Sequence, residues 1–114
     1  MTQENSNLYE GMYIISAKLS DDARKKALEK IKDGITARGG KIHKEHDLGR
    51  KRLAYEIDGH REGHYFVVYF DSIASAIAEM WHDYHLSEDL VRFINLRVEK
   101  VMEKIEFKTI VEEI

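Results

Sequence analysis

The chain contains no cysteine. That absence rules out a disulfide framework, a thiolate zinc site and a thiol nucleophile. Long apolar runs are missing too: nothing approaches the ~18 consecutive apolar residues of a membrane-spanning helix, so no membrane role is expected. The opening segment, residues 1–7, is polar, with neither the basic stretch nor the apolar core of a secretory signal. It reads as a disordered lead-in. Positive charge, the usual mark of a nucleic-acid binder, is short overall: 18 Lys and Arg against 21 Asp and Glu leave a net charge of −3. Catalytic frames are lacking as well. There is no Ser-His-Asp motif, no glycine-rich phosphate loop and no framed carboxylate pair, and Ser16-Ala17-Lys18-Leu19 offers no phosphate-cradling loop. Neither an enzyme nor a cofactor is expected.

What is present suits one small globular domain: 114 residues, 43% hydrophobic and 34% charged, enough for a single two-layer core. Leu8 to Ser16 is rich in aromatic and β-branched residues and predicts a first strand. Ser20 is placed as a helix N-cap, with Asp21 and Asp22 in the first turn where the helix dipole favours carboxylates. Ala27, Leu28, Ile31, Gly34 and Ile35 then form one apolar stripe at helical spacing, and Gly39-Gly40 ends the helix. Lys41 to Ile57 is extended. Residues 58–63 form a hairpin loop, and Tyr65 to Phe70, bulky at both parities, predicts a strand buried on both faces. Asp71 or Ser72 is expected to cap a second helix with the stripe Ile73, Ile77, Met80, Trp81 and Tyr84. Leu90 to Val98 makes the last strand.

The order β-α-β-β-α-β is the α+β, ferredoxin-like split β-α-β arrangement, a four-stranded antiparallel sheet with two helices on one face. Right-handed crossovers put the first and third strands in its centre. The domain is expected over residues 8–100, with 101–114 a C-terminal extension, either an amphipathic helix or a frayed tail. Leu28, Ile31, Leu53, Tyr55 and Ile77 are expected between sheet and helices. The apolar third strand then leaves an aromatic patch on the uncovered sheet face, either displayed to water or covered by something, and such patches mark interaction surfaces.

Within 41–57 the phase of the pattern changes. Ile42 and Leu48 share one parity; Leu53, Tyr55 and Ile57 share the other. Strand side chains alternate with period two, so one extra residue must be absorbed within 47–52, and Gly49 is the natural site of a bulge or bend. The same segment is locally basic. Residues 41–52 hold five cations and two carboxylates, whereas 53–100 hold four and nine. A basic patch in an acidic protein engages few phosphates alone, and a basic partner would help it.

Gly49-Arg50-Lys51-Arg52-Leu53-Ala54-Tyr55-Glu56-Ile57, preceded by Asp47-Leu48, resembles the characteristic motif of the bacterial small-subunit ribosomal protein six family. Tyr9-Glu10, Gly40-Lys41-Ile42 and Val91-Arg92 stand where that family has like residues, so the resemblance spans roughly residues 8–100. It implies a cytoplasmic, ribosomal protein that binds the central domain of small-subunit ribosomal RNA and pairs with small-subunit protein eighteen. Where the family often has basic residues before the first-strand Tyr-Glu, this chain has Asn7-Leu8.

Arg50, Lys51 and Arg52 are the leading RNA candidates, since the planar guanidinium fork matches phosphate oxygens. The plainer reading is a charged sheet edge that discourages strand-to-strand aggregation. Lys41, Lys44, Arg92 and Arg97 are secondary RNA candidates. Tyr65, Phe66, Val67 and Tyr69 are the candidates for partner binding. Two other readings stay open. Gly63 to Tyr69 partly resembles the third-strand octamer of RNA-recognition motifs, which would make the chain a free-standing single-strand RNA binder. A self-associating ferredoxin-like regulatory module is the other. Among six histidines, His82 and His85 have a possible metal spacing, but no further ligands are placed, so no metal site is expected.

Overall fold

The computed structural model describes residues 6–57 and 59–102. Six elements follow in order: β1 (Asn7–Ser16), α1 (Asp21–Ala37), β2 (Lys41–Ile57), β3 (His60–Ser72), α2 (Ala74–His85) and β4 (Leu90–Arg97). The strands form one sheet in the order β2-β3-β1-β4, every neighbouring pair antiparallel. β1 and β3 are therefore central and β2 and β4 are the edges, as the crossover rule requires. This is the ferredoxin-like arrangement. The expected opening and C-terminal segments fall largely on residues 1–5 and 103–114, outside the described residues.

Local chemistry sets the helix ends. The Ser20 hydroxyl accepts from the Ala23 N–H at 3.2 Å, and Gly39, at φ +82°, takes the left-handed conformation that closes α1. α2 departs from expectation at its start. Asp71 and Ser72 are still strand, paired with Leu8 and Asn7, so neither can cap it. Ile73 holds the N-cap position, with no side-chain bond.

Both helices cover one sheet face. Leu28, Ile31, Ile35, Ala76, Met80 and Tyr84 pack there against Tyr13, Ile15, Phe66, Val68 and Phe70. The buried α2 stripe is Ala76, Met80 and Tyr84; Ile77 is only partly buried, and Trp81 is 52% exposed. A helical residue one position beyond Met80 is turned about 100° away from the core, too far for even a large ring to reach back.

The far face carries a second, smaller cluster of Ile14, Leu53 and Tyr65, flanked by Met12, Leu48, Ile57 and Val91. Leu53 is thus buried, but not where it was expected. β2 contains three register shifts against β3, one passing over His43, one over Leu48 and one between Arg52 and Ile57, with Gly49 at φ +81°. The break expected near Gly49 exists, and the additional one at His43 reverses its effect. Ile42 faces the helices, whereas Leu48, Leu53 and Ile57 face away from them. Tyr55, expected in the core, is 62% exposed on that far side.

The chain after β4 returns across the far face. The Val98 N–H donates to the Leu8 carbonyl at 2.9 Å, and His46 Nε2 donates to the Met102 carbonyl at 2.7 Å. Tyr69, fully buried, donates to Glu10 Oε2 at 2.5 Å, and burial together with that carboxylate pushes its hydroxyl pKa well above the ordinary tyrosine value.

Candidate nucleic-acid interface

β2 and β3 continue past the last paired residue of β1, Ser16 opposite Gly63, so the β2–β3 hairpin projects beyond the sheet. Arg50, Lys51 and Arg52 stand at the root of this projection, opposite His64, Gly63 and Glu62. Alternation sends Lys51 to the far face and its two neighbours to the helix side. The three cations are not equivalent. Arg50 lies against the Glu62 carboxylate, which offsets its charge. Lys51 and Arg52 meet no carboxylate among the described residues.

Arg92 joins them from β4. Its partner across β1 is Ile14, the residue that packs on Leu53, so register carries Arg92 to the far face at the hairpin end. There its guanidinium lies 6.0 Å from the centre of the Tyr55 ring and donates to the Tyr55 hydroxyl at 3.3 Å. No carboxylate holds it among the described residues. Tyr55 and Arg52 line the same surface hollow with Arg61, which is 85% exposed and only loosely paired to Glu56 at 3.8 Å. Three cations without close carboxylates and one exposed aromatic ring therefore share one end of the molecule. An arginine over a tyrosine ring can still turn the N–H groups that do not bond the ring's hydroxyl toward phosphate oxygens.

The other basic candidates lie elsewhere. Lys41 and Lys44 pair with Asp71 and Tyr69, and Arg97 pairs with Tyr9, all toward the opposite end of the sheet. Nine residues of strand separate Lys41 from Arg50, about 30 Å. One RNA helix edge need not touch both groups. Arg61 and Tyr55 were missed as candidates. The first sat in an undifferentiated loop; the second was assigned to the core by its parity with Leu53.

The aromatic strand is not a displayed surface. Phe66 lies under the helices, in the main core. Tyr65, Val67 and Tyr69 face the other way but are 1% exposed or less, closed over by the Leu53 side of β2 and by the returning chain around Met102. This corrects the expectation that these four residues present a patch to a partner. It also removes the stacking platform that an RNA-recognition motif needs on its third strand. What the far face does expose is Ile94, Leu96 and Tyr55. His82 and His85 lie exposed on α2, and among the described residues no three His, Cys, Asp or Glu side chains gather to hold a metal ion.

The family model for ribosomal protein S6 matches residues 8–97. The small ribosomal subunit protein bS6 of Protochlamydia amoebophila is 65% identical over 113 residues, 99% of each chain. Its counterpart from Chlamydia trachomatis serovar L2 is 53% identical over 112 residues, 98% of this chain and 100% of that protein. The crystal structure of 30S ribosomal protein S6 from Thermotoga maritima superposes with a TM-score of 0.78 at 30% identity, covering 82% of this chain and 89% of that one. These likenesses extend over the strands, both helices and the basic hairpin alike. The chain belongs to the ribosomal protein S6 family: it is a cytoplasmic component of the small ribosomal subunit and not an enzyme.

Proposed function

We propose that this protein binds the central domain of small-subunit ribosomal RNA through the hairpin end of its sheet, and does so together with small-subunit protein eighteen. The observation that carries the reading is that Arg92 contacts Tyr55, that Arg52 lines the same hollow as that ring, with Lys51 next to it on β2, and that none of the three meets a carboxylate among the described residues. Lys51 and Arg52 supply point and forked charges for phosphates, and the Tyr55–Arg92 pair supplies a flat surface beside them. Arg50 contributes once Glu62 gives it up, and Lys41, Lys44 and Arg97 are left for outlying contacts.

Protein eighteen is the partner that the family resemblance implies, and charge supports a basic partner of that kind. An overall −3 chain with so few free cations gains little from phosphate neutralisation alone. A basic partner docked beside the hairpin adds contacts and screens the acidic remainder. Ile94 and Leu96, exposed on the far face as Tyr55 is, suit such docking better than the buried third strand does. The test is binding of a central-domain RNA fragment to full-length protein carrying Lys51→Ala, Arg52→Ala and Arg92→Ala, with the partner present. Each loss should lower the salt slope by about one unit for duplex phosphate. An unchanged slope in all three would place the contact elsewhere.

A further inference from the structure

On the helix side of the same end, an open cleft of about 600 Å3 lies between the C-terminal half of α2, the 86–89 connection, the start of β4 and the hairpin. Its size is that of a small-ligand site. Trp81, His85 and Phe93 make one wall, with Arg92, His60 and Glu88 also lining it. Trp81 is the chain's sole tryptophan. It contributes little to the core, since the buried stripe of α2 passes through Ala76, Met80 and Tyr84 and leaves Trp81 52% exposed.

The three rings brace one another edge-on. Trp81 and His85 are 4.0 Å apart between centres at 82°, Trp81 and Phe93 6.0 Å at 75°, and His85 and Phe93 5.2 Å at 75°. Edge-on contacts fix the rings without using both faces of each for stacking. A nucleotide joins a flat, apolar-faced base through its sugar to an anionic phosphate, which is what an aromatic wall with a histidine beside it fits. Glu88 would repel a phosphate placed directly on it, but its carboxylate can accept from the exocyclic amino group of a base.

We propose that this cleft holds one unpaired RNA base stacked against Trp81, with His60 on its phosphate side. The inference rests on the RNA-binding reading above and adds to it a second, base-contacting site on the opposite side of the hairpin root.

Because Trp81 is alone, its fluorescence reports on the cleft directly. Full-length protein is titrated with hexacytidylate and with an abasic hexamer of the same charge. A labelled hexacytidylate is separately bound to Trp81→Leu and Trp81→Phe variants. Saturable quenching by hexacytidylate but not by the abasic strand is expected, with about tenfold weaker binding in Trp81→Leu and substantial rescue in Trp81→Phe. Equal quenching by both strands, no quenching, or unchanged binding in Trp81→Leu would overturn the proposal. Quenching by protein eighteen alone, with none by RNA, would also overturn it and make the cleft a protein contact. Binding of the ribosomal RNA fragment, measured in the same preparations, separates the two claims. Retained fragment binding without a Trp81 response sinks the cleft and leaves the interface standing. Lost fragment binding with intact hexamer quenching does the reverse.

Discussion

Tyr13 shows how tightly single residues are constrained here. Its hydroxyl, fully buried, donates to Asn95 Oδ1 at 3.2 Å and lies 3.2 Å from the Tyr84 hydroxyl. The room it needs is taken from Gly11, where an added Cβ would stand 2.5 Å from that oxygen. Burial is the main cause raising the pKa values of Tyr13, Tyr65, Tyr69 and Tyr84 above the ordinary value of 10.0. In the unfolded chain these groups lose their protons near that value while the folded chain keeps them. Between the two, the unfolded state binds fewer protons, so stability present below pH ~10 falls as pH rises above it. Denaturant midpoints at pH 8 and pH 11 should show this drop, and a smaller one in Tyr13→Phe; equal midpoints would contradict it. Gly63 offers a steric test. A Cβ there would meet Ile14 Cγ2 at 2.3 Å inside the sheet, so Gly63→Ala should cost about 1–3 kcal/mol in a urea titration. Core residues of α1 were legible in the sequence because one helix with one covered face leaves little choice. Trp81 and Tyr55 were not, because hydrophobicity records that a side chain can be buried, not that it is. Both stand beside a stripe or cluster already filled by smaller or better-aimed residues.

At the scale of elements, β2 is the informative one. Periodicity asked for a break on the premise that Ile42 and Leu53 share a face; the break is there, at Gly49 with φ +81°, but the premise is not, since the two face opposite sides. The second slip, at His43, left no trace of its own: no glycine marks it, and a parity argument counts odd bulges but not pairs of them. Two bulges return the strand to its original parity while moving the segment between them. That is why Leu53 faces away from the helices and anchors the far-face cluster. Leu53→Ala should therefore cost about 2–5 kcal/mol, the range of a buried leucine, although no helix touches the site. It should also loosen the hairpin root that carries Lys51 and Arg52. Hydrogen exchange of the β2–β3 amides checks both: faster exchange confined to residues 48–66 is expected, and unchanged protection there would show that the cluster is not what holds the projection. Gly49→Ala should cost about 1–2 kcal/mol for forcing a side chain into left-handed backbone.

For the molecule as a whole, the sheet separates tasks between its faces and its ends. The helix face supplies the main core, the far face a lesser core closed partly by the chain beyond β4, and the hairpin end the free cations. The basic run at residues 50–52 was visible without a structure; its reinforcement by Arg92 depends on pairing across β1, over forty residues away, and could not be read from spacing. The central claim is that this acidic protein holds RNA well only in company, with coupling that must be reciprocal between RNA and partner. Its most direct test is isothermal titration of a central-domain ribosomal RNA fragment with this protein alone, with protein eighteen alone, and with both, at two salt concentrations. Binding of the pair should be tighter than the two separate affinities combined, with a salt slope that shrinks by one to three units when Arg50, Lys51 and Arg52 are replaced by Ala. If this protein alone binds the fragment as tightly as the pair does, the account is wrong.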